Sequence, residues 1–383
     1  MKLSIPSSDL KSGLARAIRA IAIRSTLPVL ANVKLTADDG GLTLCGTNLE
    51  FYILARVSAK VEKPGAITLP AKTLADLVNT LPADEVVELT LNPKLASVSI
   101  QCGRIKANLK GIPADEFPSL PDVDQWTAAD LDARAVAEAL QSVLFAAATD
   151  EAHPILTGIL LRTDKESGAT FAASDGFRVA QRQLSLSSNG ATPALQTVIP
   201  AKALRELAAM LSGAQAGGTL EMRLNPERGQ VFFAIASEQL MAQTIEGAFP
   251  AYQNILPKSY TTRAVLEANG LRAVLKAGDV FARESAHTIR FKVSAGTEVE
   301  PGALTILATA TETGEGEGAL SASVEGPAIE VGLNVKFLLE ALSAIKSPHV
   351  ALELNTPTSP VVLRPIGAAD DYLYVQMPMH LSR

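Results

Sequence analysis

The side chains best suited to metal binding or nucleophilic chemistry are few in this chain. None of its histidines stands at metal-ligand spacing from another histidine, a cysteine or a carboxylate: His153, His287, His349 and His380. Cys45 and Cys102 each lie in an alternating apolar run, which indicates small buried residues rather than a disulfide or a metal pair. The sequence therefore predicts no metal and no cofactor.

Motifs for phosphate binding and for acid–base catalysis are absent from the sequence as well. There is no Gly-rich phosphate loop with its lysine and no nucleophile elbow. Asp175-Gly176 is typical of a turn, and the neighbouring carboxylates of Asp84-Glu85 are typical of a solvated loop. The chain is therefore predicted to bind or organise other molecules; an enzyme whose site leaves no motif is the alternative.

The chain is organised by one stretch that recurs three times, at offsets of about 130 residues. It combines the end of a strand, a turn and a short amphipathic helix: Leu69–Leu81, Ile199–Leu211 and Gly332–Leu342. Other landmarks recur in the same order, since Glu88–Pro93 returns as Glu221–Pro226 and Phe117-Pro118 returns as Phe249-Pro250. A period of this length is the size of a small domain rather than of a solenoid unit.

Each repeat reads as strand, helix, strands, helix, strands, and several strands alternate with period two. Antiparallel sheet covered by helices on one face predicts an α+β fold of three repeated domains. The domains are expected at 1–121, 127–257 and 262–383, with helices at 8–22, 71–81, 132–148, 201–211, 268–284 and 335–346. The acidic, Gly-rich stretch Glu312–Gly318 is expected to be a mobile surface loop.

The net charge of −6 disfavours nucleic-acid binding unless the positive charge is concentrated in one place. The six predicted helices hold 12 Lys and Arg against 8 Asp and Glu, whereas the rest of the chain holds 22 against 32. This acidic chain thus keeps its positive charge on its helices, which favours a helix-borne contact with DNA; ordinary solvated helix faces are the alternative.

Targeting signals are the last feature that the sequence can exclude. The N-terminus lacks the apolar core of a signal peptide, and no apolar run approaches the roughly 18 residues of a membrane span. We therefore expect a cytoplasmic protein with no membrane partner.

Four stretches occur together and in order with the threefold repeat: Ser174–Ala180, the Phe-Pro-x-Tyr run at 249–252 closing on Leu256-Pro257, Gly332–Val335 and Val375–Leu381. They resemble the bacterial DNA polymerase III beta subunit, the sliding-clamp family, over essentially the whole chain. The resemblance implies the DNA clamp fold, with two helices on an antiparallel sheet in each domain. It also implies that two chains close head to tail into a ring around duplex DNA.

The function implied by the resemblance is that of a replication processivity factor without catalytic activity of its own. Its partners would be duplex DNA, the DNA polymerase III alpha subunit, a clamp loader and other replication and repair proteins with clamp-binding peptides. A clamp-fold peptide-binding scaffold, or a paralogue that is not the main replicative clamp, is the alternative.

By position, the resemblance implies a peptide-binding cleft between the second and third repeats. Its walls would be Leu156, Thr157, Ser174, Gly176, Phe177, Arg178, Val179, Pro250, Asn254, Ile255, Asn334, Phe337, Thr358, Pro360, Val375, Gln376, Met377, Pro378, Met379 and Leu381. The family usually has His where Phe177 stands and Arg where His380 stands, so we expect a more apolar cleft without that permanent cation. The chain also continues past the usual final Leu with Ser382-Arg383.

Partner peptides are expected to bury a Leu or Phe against Met377 and Met379, with Arg178 and Asn334 as polar contacts. Pro378 cannot donate to a strand ladder, so the last strand should fray there and present its side chains outward. The alternative is that the methionines fill the core of the third repeat. Removing residues 377–383 is expected to abolish peptide binding and to leave the chain folded and dimeric.

The resemblance also implies the residues at the dimer interface. They are Ala107 and Leu109 from one chain and Val280 and Phe281 from the other. Ala107 stands where the family often has Phe, so we expect less apolar area to be buried at that contact.

The expected DNA contacts come from two sources. The family carries Arg at the place of Arg24, which makes it the first candidate. The charge on the repeated helices adds Lys72, Lys202 and Arg205, for which a solvated helix face is the alternative. Such contacts go to phosphates, so binding should be independent of base sequence and steeply dependent on salt.

Overall fold

The computed structural model describes residues 1–22, 25–150, 152–164, 168–185, 194–213, 215, 217–297, 301–310, 314–367 and 371–381. The chain divides into two compact units. The first unit contains Met1–Arg134 and Arg205–Thr244, and the second contains Ala135–Leu204 and Ile245–Arg383. The second repeat therefore contributes to both units.

The described residues contain two α-helices in each repeat, as the sequence predicts. They are α1 Ser7–Ala17, α2 Ala71–Thr80, α3 Ala133–Val143, α4 Ala201–Met210, α5 Ala268–Ala282 and α6 Val335–Ala344. The first helix of each repeat ends earlier than predicted, because its last turn is a 3-10 turn: Ile18–Ala20, Leu144–Ala146 and Arg283–Ser285.

The strands occur at matching places in the three repeats. The first repeat contributes β1 Lys2–Pro6, β2 Asn32–Asp38, β3 Gly41–Thr47, β4 Phe51–Val57, β5 Lys60–Lys63, β6 Gly65–Pro70, β7 Val86–Asn92, β8 Ser97–Cys102 and β9 Ile105–Lys110. The second contributes β10 Thr127–Asp132, β11 Gly158–Asp164, β12 Gly168–Ser174, β13 Arg178–Leu184, β14 Leu195–Pro200, β15 Thr219–Asn225, β16 Gln230–Ile235 and β17 Glu238–Gln243. The third contributes β18 Thr262–Glu267, β19 Thr288–Ser294, β20 Ala303–Ala310, β21 Gly314–Ser321, β22 Ser323–Glu325, β23 Ile329–Asn334, β24 His349–Leu354, β25 Val361–Pro365 and β26 Tyr372–Gln376.

Every described pair of these strands is antiparallel. The first unit has a five-stranded sheet, in the order β5-β1-β7-β8-β9, and an eight-stranded sheet, β10-β15-β16-β17-β4-β3-β2-β6. The second unit has a nine-stranded sheet, β14-β11-β12-β13-β26-β25-β24-β18-β22, and a four-stranded sheet, β21-β20-β19-β23. Strands of consecutive repeats thus join twice within one sheet, at β4–β17 and at β13–β26. We call these the first and the second junction.

One backbone hydrogen bond recurs in each repeat and shows which residues of the three repeats are equivalent. After its last strand, each repeat bonds back to the strand that precedes its second helix, which is β6, β14 or β23. The N–H of Ile112 donates to Thr68 O at 3.1 Å, that of Ile245 to Val198 O at 2.8 Å, and that of Met379 to Gly332 O at 2.8 Å. Ile112, Ile245 and Met379 are therefore equivalent positions.

The cores consist mainly of Leu, Ile, Val and Ala from the inward faces of the strands and helices. Both cysteines belong to these buried sets, as the alternating pattern predicts. Burial raises the pKa of Cys45 to about 12 and also raises the pKa of Cys102, to whose shift Glu85 adds. Both are therefore thiols rather than thiolates at neutral pH, which suits packing and not nucleophilic attack.

The stretch predicted as a mobile loop, Glu312–Gly318, contains a regular strand from Gly314 onwards, so that prediction is wrong over the described part. The glycines are there because helix α5 packs closely on this strand. A Cβ on Gly316 would lie 2.5 Å from Phe281 Cδ2, and a Cβ on Gly318 would lie 2.4 Å from Val274 Cγ1. The alternation of Gly and Glu is a strand pattern whose inward positions have no room for a side chain.

Candidate functional site

Arg178 is the best-anchored polar residue at the second junction. It is the first residue of β13, only 7% exposed, and its three guanidinium nitrogens all have partners within the chain. Nε donates to Asp175 Oδ2 at 2.9 Å, an Nη donates to Glu340, and the other donates to Phe145 O at 2.8 Å. The guanidinium also lies 4.1 Å from the ring centre of Phe337.

These contacts fix the charge state of Arg178 and its role. Burial lowers its pKa, but the hydrogen bond to Glu340 and the charges of Tyr374 and Asp175 outweigh burial and raise it. Because Arg178 is buried and each of its three guanidinium nitrogens has a partner within the chain, it holds β13, the turn before it and helix α6 in place. Its contact with a partner peptide stays a prediction, and the observed contacts give it a positioning role.

The second junction is formed by β13 and β26, and predicted cleft residues lie opposite each other along it. Arg178 pairs with Gln376, and Val179 pairs with Val375. Gln376 Nε2 then donates to Asn334 O at 3.2 Å, and Asn334 Oδ1 accepts the N–H of Phe337 at the start of α6. The junction therefore ties the last strand to the first turn of helix α6.

Large apolar side chains are exposed around this junction. Phe177 is 66% exposed, Ile255 46% and Met377 36%. Phe177 and Met377 are held side by side, because the N–H of Met377 donates to Phe177 O at 2.8 Å. Leu156, Val179 and Val375 of the same junction belong to one buried cluster. The exposed apolar side chains next to this core make the junction the candidate site for a partner.

The first junction has the same backbone contact and the opposite chemistry. There the N–H of Gln243 donates to Glu50 O at 2.9 Å, so Glu50 and Gln243 are the equivalents of Phe177 and Met377. All four side chains are exposed. At these positions the first junction presents a carboxylate and an amide to solvent, whereas the second presents an aromatic ring and a thioether. A stability requirement common to both junctions cannot explain the apolar pair.

The C-terminal segment departs from the prediction in part. Strand β26 ends at Gln376, before Pro378, but pairing resumes at Met379, which bonds to Gly332 and accepts a hydrogen bond from Thr288 Oγ1 at 3.4 Å. Met379 is half-buried and equivalent to Ile112 and Ile245, so it is part of the third repeat's own structure. The two interpretations of the methionines therefore apply to different residues. Met377 is exposed on the surface, and Met379 packs within the third repeat.

The other predicted cleft residues lie on the turns around the junction. Thr157 ends the 3-10 turn Pro154–Thr157, Ser174 ends β12, and Gly176 has a φ of 91°, which favours glycine in the turn before Phe177. Pro250 and Asn254 are exposed in the connector that contains the 3-10 turn Tyr252–Ile255. Leu381 packs on Gly332, where a Cβ would lie 2.8 Å from its Cδ2.

Two predicted residues, Thr358 and Pro360, lie just before β25, whose first residue, Val361, pairs with Gln376. Thr358 lies in the turn between β24 and β25, and its hydroxyl is 3.4 Å from that of Thr356. Three further residues matter that sequence reasoning missed, namely Asp175, Phe145 and Glu340. Asp175 was interpreted only as a turn residue, and Phe145 and Glu340 carry no motif because they reach Arg178 from 33 and 162 residues away.

Comparison with known proteins gives the family. The DNA polymerase III beta subunit matches in three parts, with its N-terminal domain over residues 1–121, its central domain over 130–251 and its C-terminal domain over 253–380. The chain is 36% identical over 385 residues to the beta sliding clamp of Synechococcus elongatus, with all of both chains covered. The chain belongs to the DNA polymerase III beta subunit family.

Other relatives and solved structures agree with this family. The beta sliding clamp of Synechocystis is 32% identical over 401 residues, again with both chains fully covered. The crystal structure of the DNA polymerase III subunit beta from Pseudomonas aeruginosa superposes with a TM-score of 0.91 at 26% identity, with both chains fully covered. The chain thus consists of three clamp domains of mixed α and β structure with antiparallel sheets, as the sequence predicts.

The helices of this beta-subunit family member carry more basic than acidic residues, as expected. Helices α1 to α6 hold nine Lys and Arg against six Asp and Glu. Lys72 on α2 and Lys202 and Arg205 on α4 are exposed and form no ion pair with another described residue. In contrast, Arg19 after α1 pairs with Glu206 at 3.0 Å. Arg24, the first candidate, lies outside the described residues, as do Ser382 and Arg383.

The predicted interface residues lie on one edge strand and on one helix. Ala107 and Leu109 are half-buried on β9, which is the end strand of its sheet in the described order. Val280 and Phe281 lie in the last turn of α5, where Val280 is 56% exposed. Phe281 packs over Gly316 of β21, the end strand of the four-stranded sheet.

Among the residues that the structure describes, no α-helix is long and apolar enough to cross a membrane. Nor do three or more His, Cys, Asp or Glu side chains in the described ranges come together in a way that could hold a metal ion.

Proposed function

We propose that this chain is a replication processivity factor. Two copies would close head to tail into a ring around duplex DNA, and the ring would tether a DNA polymerase through the apolar surface of the second junction. The three clamp domains would be bounded near 1–121, 127–257 and 262–383. The protein would act without catalysis, in the cytoplasm, as an accessory subunit of DNA polymerase III.

One observation carries the ring. The strand pairs β4–β17 and β13–β26 join consecutive repeats, and the equivalent strands that remain are β9 of the first repeat and β21 of the third. In the described strand orders, each of these two is the end of its sheet. Two chains that pair β9 with β21 twice would cover both of these edge strands in each chain and close a ring.

Contact with DNA is supported by the charge of the helices. The exposed cations Lys72, Lys202 and Arg205, together with Arg24, are proposed to face the phosphates. The whole chain has a net charge of −6 although its helices are basic, so the acidic remainder would repel DNA from other surfaces. Binding would therefore depend on encirclement and on salt rather than on base sequence.

Partner binding is supported by the exchange of Glu50 and Gln243 for Phe177 and Met377 between the two junctions. A flexible thioether beside an exposed ring suits peptides that bring Leu or Phe anchors. The DNA polymerase III alpha subunit, the clamp loader and other replication and repair proteins are the proposed partners. All would present a short linear motif, and the site would bind one motif at a time.

Retention on DNA tests this proposal. After loading by a bacterial clamp loader with ATP, the protein should stay on nicked circular DNA through gel filtration at moderate salt and should be lost once the circle is cut. An ordinary DNA-binding protein would be retained equally on both. Equal retention, or none on the circle after loading, would contradict a ring.

A further inference from the structure

The two junctions within the chain define the register that a junction between two chains would have, and this inference rests on the head-to-tail dimer proposed above. Glu238 lies opposite Ala55 at the first junction, and Tyr372 lies opposite Arg182 at the second. Glu238 and Tyr372 precede the equivalent residues Ile245 and Met379 by seven positions. In the first repeat the same count back from Ile112 gives Ile105.

The opposite member of the pair follows from the neighbouring strands. Ala55 lies opposite Leu44, and Arg182 lies opposite Phe171, which occupies the same place in the second repeat. In the third repeat that place belongs to Ile306, which lies opposite Gly318. Gly318 is therefore the equivalent of Ala55 and Arg182.

Ile105 of one chain is thus expected opposite Gly318 of the other. Counting along the antiparallel strands then places Lys106 opposite Glu317 and Ala107 opposite Gly316.

Charge supports this pairing. Strand β9 carries Lys106 and Lys110 and no acidic residue, whereas β21 carries Glu315 and Glu317 and no basic residue. All four side chains are exposed in the single chain. Opposite charges that face each other across a strand pair favour that pairing and oppose the pairing of either strand with its own copy. The occupant of each edge is therefore a second copy of this chain.

The volumes on the helix side of the junctions show how the interface is filled. In the pair that corresponds to Ala107 and Gly316, the first junction has Leu240 with Ile53 and the second has Tyr374 with Ala180. Ala107 and Gly316 are much smaller, so the same backbone spacing would leave a gap between the chains.

Helix α5 supplies the missing volume. Phe281 lies over Gly316, and the equivalent positions, counted from the first residue of the first helix in each repeat, are the buried alanines Ala20 and Ala146. At the second junction the aromatic ring comes from the strand, since Tyr374 packs against Phe145 with ring centres 5.9 Å apart. There the strand and the 3-10 turn after α3 each contribute a ring, whereas between two chains only α5 would contribute one, because β9 has Ala107 at this place.

We propose that Phe281 of one chain fills the space left by Ala107 of the other. The aromatic ring has changed sides, from the strand at the second junction to the helix at the interface between chains. This exchange makes the interface selective, because a clamp with a large residue at the position of Ala107 would collide with Phe281. The surface therefore fits a second copy of this chain better than a clamp built the other way.

Two single variants, Ala107→Phe and Phe281→Ala, test the exchange by analytical ultracentrifugation and native mass spectrometry. Each variant alone should dissociate at least tenfold more readily than the wild type, the first through collision and the second through a cavity. Mixed in equal amounts, they should form a heterodimer in preference to either homodimer. In that heterodimer one interface joins the two altered positions and the other is native. The double variant in one chain should recover most of the wild-type affinity.

Ser99→Phe is the matched control, because it adds an aromatic ring to the exposed face of the neighbouring strand β8 and should leave the dimer unchanged. Melting curves of the monomeric fractions check that each variant is folded. If Ala107→Phe dimerises like the wild type, or if the mixture shows no preference, the exchange is wrong while the dimer stands. If the wild type itself is monomeric at micromolar concentration, the proposed ring fails instead.

Discussion

The two junctions of this chain use one backbone arrangement for two different purposes. At the first, Tyr52, Met241 and Phe232 meet in one cluster with the connector residues Phe117 and Trp126, all of them buried. The chain supplies its own aromatic residues to cover this side of the sheet.

At the second junction the same three places hold valines. Val179 and Val375 lie opposite each other, as Tyr52 and Met241 do, and Val362 is paired with Val375 as Phe232 is with Met241. The connector aromatics Phe249 and Tyr252 are buried in the same cluster as these valines, and Phe177 is exposed at the surface. On the function proposed above, the small side chains at these places would leave room for anchors that another protein brings. The binding site would then lie where the second junction lacks volume that the first junction fills with its own side chains.

The largest expected effect comes from Arg178, which stands where the first junction has Phe51. Replacing it by Met removes the partner of Asp175 and Glu340 and the bond to Phe145 O. Breaking a buried pair on one side costs about 3 kcal/mol or more, and chemical denaturation measures the loss. Arg263→Met is the control, because Arg263 is partly exposed and pairs with Glu353 at 3.7 Å. Equal losses in the two variants would contradict the anchoring role.

The next effect concerns Gly332, which stands where the first repeat has Thr68. A Cβ on Gly332 would lie 2.6 Å from Met379 O, so Gly332→Ala must push the C-terminal segment off β23. We expect a loss of about 1–3 kcal/mol and weaker peptide binding, followed by denaturation and by anisotropy of a labelled peptide. Thr68→Ala instead removes a hydroxyl that donates to Ile112 O at 2.9 Å, and it should leave peptide binding unchanged. Unaltered peptide affinity in Gly332→Ala would separate the segment from the site.

A smaller effect is expected at Asn334, which directly precedes α6. The second helices of the other two repeats have proline at this place. Asn334 Oδ1 accepts the N–H of Phe337 at 3.2 Å and caps α6. Asn334→Ala should cost about 1 kcal/mol, whereas Asn334→Asp should keep the cap. Thermal melts of the two variants measure the loss of stability. An equal loss in both would show that the side-chain oxygen of Asn334 does not stabilise α6 as a cap.

The smallest expected effect is the pH dependence of the cap of helix α5. Glu267 caps this helix with its side chain, whereas the equivalent helix α1 has no side-chain cap. Glu267 accepts the N–H groups of Gly270 and Asn269, and these bonds lower its pKa below 4.5. A lowered pKa in the folded state adds stability above the unfolded pKa, and that stability is lost as the pH falls through the folded value. Melting temperatures of Glu267→Gln and the wild type should therefore differ at pH 7, and the difference should shrink as the pH falls below 4.5. A constant difference would contradict the sign.

The threefold fold was predictable from sequence because the landmarks recur at positions that packing forces to be similar. The spacing of apolar residues predicted the positions of the helices. The predicted C-terminal ends of α1, α3 and α5 were too late, because the last turn of each is a 3-10 turn. Strand β21 was missed because its glycines follow from Phe281 and Val274, which lie on a helix more than 30 residues earlier. Nor does any local pattern bring Glu340 and Phe145 to Arg178.

The sequence also gave no sign that Met377 and Met379 have different roles. That distinction follows from the hydrogen bond of Met379 to Gly332, which has counterparts in the other repeats. Removing residues 377–383 would consequently disturb the third repeat as well as the surface, so single side-chain exchanges are the better test of the site.

The most direct test exchanges the exposed residue pairs of the two junctions, which we call their rims: Glu50 and Gln243 at the first, Phe177 and Met377 at the second. A labelled peptide of the type Gln-Leu-x-Leu-Phe is titrated with wild type, with Phe177→Glu/Met377→Gln, and with Glu50→Phe/Gln243→Met. The first double variant gives the second junction the rim of the first and should weaken binding about 100-fold, since two lost apolar contacts are worth about 2.7 kcal/mol. The other double variant should bind like the wild type, because Tyr52, Phe232 and Met241 still fill that junction. Unchanged affinity in the Phe177→Glu/Met377→Gln variant would contradict the assignment of this surface.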